Sequence, residues 1–97
     1  MKRKRFSPKT NFNKTNIGKV PEGKPVLYEL LNSKNENIYT GIAKRNRPQD
    51  RLQEHLAGAQ DPIRGVKSFR VKPMPSLEKA KAEEKRILKD EKPKYND

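Results

Sequence analysis

From Pro25 onward the chain alternates apolar and polar positions in blocks whose period changes along its length. Val26, Tyr28 and Leu30 alternate with Leu27, Glu29 and Leu31, the two-residue period of a strand. Asn32 to Asn37 is a polar turn, after which Ile38, Thr40 and Ile42 alternate with Tyr39, Gly41 and Ala43. Two strands joined by a short polar loop predict an antiparallel hairpin. Lys44 to Arg47 is a basic loop. Pro48 suits the first turn of a helix and Gly58 its end, with Leu52 and Leu56 four apart and facing the core. Asp61-Pro62 breaks the chain again, and Val66 to Lys72, with Phe69 and Val71 two apart, predicts a third strand. Ser76 after Pro75 is an N-cap, and Glu78 in the first turn complements the helix dipole. Leu77, Ala80, Ile87 and Leu88 form a stripe at helical spacing, which Pro93 ends.

The order strand, strand, helix, strand, helix predicts an α/β (α+β) domain: a small three-stranded antiparallel sheet flanked by helices. Residues 1–24 have no such period. They are Lys, Asn, Thr, Gly and Pro with scattered Phe6, Phe12 and Ile17. The expectation is therefore a flexible basic arm over 1–24 ahead of one domain over 25–97.

Composition narrows the chemistry. In 97 residues, 30% hydrophobic and 37% charged, there is room for one domain with a small core. There are no cysteines and one histidine, which excludes disulfides and thiolate metal sites and argues against a His-based zinc site. No run approaches the roughly 20 apolar residues of a membrane span, and no apolar segment follows the basic start, so the expectation is an intracellular protein with no membrane partner. Net charge is +12, and it is unevenly placed. Residues 1–21 hold Lys2, Arg3, Lys4, Arg5, Lys9, Lys14 and Lys19 and no acid, while the rest carries 17 Lys+Arg against 12 Asp+Glu. That asymmetry points to a polyanion, with nucleic acid ahead of a merely solubilising tail. Lys2, Arg3, Lys4, Arg5, Lys44, Arg45 and Arg47 are the candidate contacts.

Within this frame Glu84 is anomalous. At about 100° per residue it falls in the middle of the Leu77–Leu88 stripe, with Glu83 at the edge. A core-facing carboxylate is costly unless paired, either with a cation such as Arg51 or a lysine, or with a hard metal ion that takes oxygen ligands. Arg51 and His55 share one helix face. The guanidinium can grip two phosphate oxygens and the imidazole can move a proton near neutral pH, although each alone also reads as an ordinary helix residue. Tyr28 and Tyr39 lie on paired strands, where aromatics commonly pack. To act as a base, a phenol needs nearby cations, of which Arg51, Lys44 and Arg45 are candidates. Gly41 weakens a strand unless close approach of another backbone or a ligand requires it.

Taken together, the set resembles the GIY-YIG nuclease family over about residues 25–97. Val26-Leu27-Tyr28 stands at its first tripeptide, with Val26 replacing the glycine, and Tyr39-Thr40-Gly41 stands at its second. Arg51 to His55 is similar to its catalytic-arginine helix, Ala80 to Glu84 to its metal-binding helix, and Pro93-Lys94-Tyr95-Asn96 to its closing motif. The basic loop from Ile42 to Asp50 is longer than in compact relatives. The resemblance implies Tyr28, Tyr39, Arg51, His55, Glu84 and Asn96 as catalytic residues, with Mg²⁺ or Mn²⁺ on Glu84. It also implies an endonuclease that leaves a 5′ phosphate and a 3′ hydroxyl.

The resulting expectation is a divalent-metal-dependent endonuclease of low sequence specificity. DNA is favoured and RNA remains open, and targeting falls to a homodimer or a partner protein. The alternative is a non-catalytic nucleic-acid-binding accessory protein or an inactive family member. Metal dependence separates the two.

Overall fold

The computed structural model describes residues 6–56 and 63–96. Strand β2 (Val26–Leu31) and strand β3 (Asn37–Ala43) form the expected antiparallel hairpin, with Tyr28 opposite Gly41 and Glu29 opposite Thr40. Asn32 builds the turn: its Oδ1 accepts from the amides of Lys34 (2.9 Å) and Glu36 (3.0 Å). Asn35 takes the left-handed conformation there (φ 64°) that asparagine tolerates. A bulge between Leu30 and Leu31 shifts the register at the start of β3.

The sheet has four strands rather than the three expected. Its order is β1-β4-β2-β3, antiparallel throughout, where β4 is Ser68–Pro73 and β1 is Thr10–Asn11. The extra strand comes from the segment expected to be a free arm. Residues 6–20 are part of the fold. Thr10 pairs with Phe69, the Ser7 amide donates to the Val71 carbonyl (2.7 Å), and the Phe12 ring meets Phe69 edge-on at 5.7 Å. Helix α1 (Lys14–Ile17), capped by Asn13, delivers Ile17 and Val20 into the core at 0% and 5% exposure. Burial of these isolated apolar residues outweighs the polar composition around them. Lys2, Arg3, Lys4 and Arg5 lie outside the described residues.

Helix α2 (Pro48–Gln53) starts at Pro48 as expected but passes at Glu54 into looser turns, with His55 and Leu56 bonded to Leu52 and Gln53. Gly58 and Asp61-Pro62, expected to end the helix and break the chain, lie outside the described residues. Helix α3 (Leu77–Glu91) has the expected cap, the Ser76 hydroxyl accepting from the Lys79 amide.

The helices cover opposite faces of the sheet. Val26, Tyr28, Leu30, Ala43, Phe69 and Val71 pack with Ile17, Val20 and Leu52 on one side. Leu27, with Ile42 against it, packs under Ala80 and Ile87 of α3 on the other. Both faces being covered explains why every residue of β2 is buried, Glu29 included (1% exposed). Arg70, its neighbour on β4, closes on the Glu29 carboxylate at 2.6 Å. Burial still raises that carboxyl above its ordinary range, with Arg70 opposing.

Candidate active site

Tyr28 is fully buried, and its ring lies over Gly41 on the adjoining strand. A Cβ built at Gly41 would sit 2.5 Å from the Tyr28 hydroxyl oxygen and 2.6 Å from its Cζ. The glycine is therefore required by the approach of a side chain, which sequence alone left open. From this position Tyr28 Oη shares a 2.9 Å hydrogen bond with Nε2 of His55, itself fully buried. Tyr39, half-buried on the same face of β3, completes the group, its ring centroid 5.0 Å from His55 and 6.2 Å from Tyr28.

Electrostatics fix the state of Tyr28. Burial, then the neighbouring Tyr39, push its phenol far above the ordinary value, and Arg51 opposes without prevailing. At neutral pH Tyr28 is a protonated hydroxyl. The guanidinium of Arg51 is tied to Glu54 by a 2.6 Å ion pair. Burial works against its charge, but Glu54 and the adjacent phenols hold it above its ordinary value, so it stays cationic.

Beyond Arg51 the surface opens into a shallow depression lined by Ile42, Ala43, Lys44, Arg47 and Arg51. Lys44, Arg45 and Arg47 are all exposed. Ile42 packs on the α3 side and Arg51 belongs to the α2 side, so the depression straddles the outer edge of β3.

The other two expected residues sit apart from this cluster. Asn96 closes β3 farther along. Its Oδ1 accepts from the Thr40 amide (2.7 Å) and its Nδ2 donates to the Thr40 carbonyl (2.9 Å). With the Tyr95 amide on the Ile38 carbonyl (2.9 Å), the C-terminal segment satisfies backbone groups of an edge strand. Asn96 thus orders the strand that carries Tyr39 and Gly41.

Glu84 lies on α3, across the sheet from the tyrosines, and no hydrogen bond or ring contact among the described residues links it to them. It is half-buried beside the Ala80–Ile87 stripe, as its helical position predicts. Its carboxyl is raised by burial, opposed by Lys81 nearby, and it forms no ion pair among the described residues. Glu83 differs: Lys72 (2.7 Å) and Arg86 (2.9 Å) hold its carboxylate and keep it below the ordinary range. Of the two neighbours, Glu84 has the free oxygens that a hard cation needs. Among the described residues no group of three or more His, Asp or Glu side chains converges. A lone free carboxylate is a donor that a hard divalent cation can take, the rest of its shell being completed by water and substrate phosphate.

Sequence reading passed over Glu54, Glu22 and Gln49. Glu54 holds Arg51, and the Glu22 carboxylate accepts from the Gln49 amide at the start of α2 (3.2 Å). The spacing of Arg51 and Glu54, three apart on a helix, was a usable signal. Nothing local marks Glu22, which lies 27 positions from its partner.

Residues 24–96 match the family model of the GIY-YIG catalytic domain. No curated protein matches the chain at a significant level. The matched span includes both tyrosines, Gly41, Arg51, His55, Glu84 and Asn96. The chain belongs to the GIY-YIG family, a family of nucleases.

Proposed function

We propose that this chain is a divalent-metal-dependent endonuclease that acts on DNA with little sequence preference. The observation that carries the reading is the contrast on α3, where Glu83 is bound by two cations while half-buried Glu84 forms no ion pair among the described residues. A phosphodiester laid along the open stretch of the β3 edge would meet Arg51 from one face and approach Glu84 on the other.

In this reading Glu84 holds Mg²⁺ or Mn²⁺, which when bound supplies Lewis-acid stabilisation of the phosphate and the leaving 3′ oxygen. Arg51, oriented by Glu54, neutralises charge that develops on the phosphoryl oxygens. Burial of Tyr28 shifts the part expected of it. A protonated phenol closed off from solvent is a poor first acceptor, whereas in this reading Tyr39, the more exposed phenol, meets the attacking water. Tyr28 and His55 then form the relay behind it, the Tyr28 proton passing to Nε2 as the phenol oxygen receives another. Asn96 keeps β3, and with it Tyr39, in register.

Binding is led by phosphate contacts from Lys44, Arg45, Arg47 and the N-terminal Lys2, Arg3, Lys4 and Arg5, and is steeply salt-dependent. The deciding experiment is incubation of the purified chain with plasmid, single-stranded DNA and structured RNA, with Mg²⁺ or Mn²⁺ against EDTA. Metal-dependent cutting that Glu84→Ala abolishes supports the enzyme and identifies its substrate. Binding without cutting under every condition leaves an accessory nucleic-acid-binding protein.

A further inference from the structure

The family match begins at residue 24, yet the basic loop is held in place by residues upstream of it. Ile17 and Val20 seat this upstream segment in the same core as Leu52 of α2. From that footing Glu22 reaches the start of the helix. Arg47, at the N-cap, makes no side-chain capping bond. The Glu22 carboxylate accepts instead from the Gln49 amide at 3.2 Å, one of the donors that a helix start leaves unpaired. The carbonyl of Glu22 accepts from the Asn46 amide at 2.8 Å, just where Asn46 turns left-handed (φ 70°). The Gln49 side chain donates back to the carbonyls of Gly18 (3.1 Å) and Val20 (2.9 Å). The loop and the helix start are thus clamped from both sides.

What the clamp positions is charge. Lys44 has no ion pair among the described residues, and Arg47 is held only loosely, 3.8 Å from Asp50 and 3.9 Å from Glu54. Both line the depression beside Arg51. Arg51 is tied to Glu54, whereas Lys44 and Arg47 are exposed beside it and available to a second group of the same chemistry. We propose that Glu22 and Gln49 are positioning residues, which hold Lys44 and Arg47 beside Arg51 as a subsite for the phosphate adjoining the scissile one. This rests on the nuclease reading for the meaning of Arg51, but its test requires no cleavage.

The test is binding of the full chain to fluorescently labelled duplex DNA, and to its single strand, in EDTA across a salt series. Charge alone says that removing an acid from the protein tightens binding. Positioning says the reverse. Glu22→Ala and the charge-neutral Gln49→Ala both bind several-fold more weakly than wild type. Their salt dependence flattens in the same sense as that of Lys44→Ala, which loses about one phosphate contact. Glu22→Gln, which keeps an acceptor for the Gln49 amide, binds at least as tightly as wild type. Circular dichroism at the assay temperature shows which variants are folded, and Gln49→Ala alone decides if Glu22→Ala is not. Unchanged or tighter binding by the folded alanine variants overturns the subsite while leaving the nuclease reading intact. A wild-type chain that binds neither probe overturns both.

Discussion

Tyr28 and Gly41 face each other across the β2–β3 pair so closely that the phenol occupies the space of the missing side chain. Gly41→Ala puts a methyl group 2.5 Å from the Tyr28 hydroxyl oxygen. With the ring buried, relief requires the tyrosine or the strand to move. Overpacking of this kind costs about 1–3 kcal/mol. A lowered urea midpoint, together with loss of cleavage, is the expected result; wild-type stability would show that the Tyr28 ring has room to shift.

Tyr28→Phe removes the hydroxyl bonded to His55 while leaving the ring in place. His55 then keeps a buried nitrogen short of this partner, at a cost of about 1–3 kcal/mol. On the proposed relay, the variant should lower cleavage by about 10²–10⁴-fold, as loss of positioned proton transfer does. Chemical denaturation and single-turnover cleavage report the two effects separately. Tyr39→Phe should match the kinetic loss with a smaller change in stability.

Glu84 and Glu83 should respond to pH in opposite senses. Burial raises the Glu84 carboxyl, so the fold favours its protonated form. That contribution is fully present below the unfolded value near 4.5 and is lost as pH rises through the raised folded value. Glu84→Gln should therefore be more stable than wild type at neutral pH without metal, yet unable to cleave. Lys72 and Arg86 lower Glu83, whose contribution is present above the same unfolded value and is lost as pH falls through the folded one. Glu83→Gln should lose stability at pH 7 and little at pH 3. Thermal melts across pH 3–8 in EDTA test both, and identical profiles for the two variants would contradict the assignment of the free carboxylate.

Asn96→Ala deletes two hydrogen bonds to the Thr40 backbone on an edge strand. The expected loss is about 1–3 kcal/mol, with cleavage reduced because Tyr39 neighbours Thr40. Amide exchange gives the sharper reading: protection of the Thr40 N–H should fall selectively. Unaltered protection there would separate Asn96 from the ordering of β3.

Deletion of residues 1–20 removes β1, Ile17 and Val20 from the core, so it should unfold the chain or lower its melting temperature markedly. Deletion of residues 1–5 removes four of the 24 Lys and Arg residues and none of these contacts. The shorter truncation should keep its melting temperature, bind DNA more weakly and show a shallower dependence of affinity on salt. Equal affinity for this truncation and wild type at moderate salt would dismiss those four charges as nucleic-acid contacts.

The sequence by itself determined the parts of this protein that depend on near neighbours. Alternation over two residues marked the hairpin, helical spacing placed Glu84 in the apolar stripe, and Ser76 marked the start of α3. Tertiary structure alone decided what joins distant positions. β1 is two residues long and α1 four, too short to show a period, so their place in the sheet and core is set by the surfaces of Phe69 and Leu52 that they cover. Glu29 sits in an apolar strand and says nothing of Arg70, 41 positions away, whose charge makes its burial tolerable. Gly41 left open whether a backbone or a ligand approaches it, and the folded chain supplied a side chain instead, the ring of Tyr28. Long-range contacts carry no periodic signal because they are selected by shape and charge after the local elements exist, and the site of this nuclease family member is built from them.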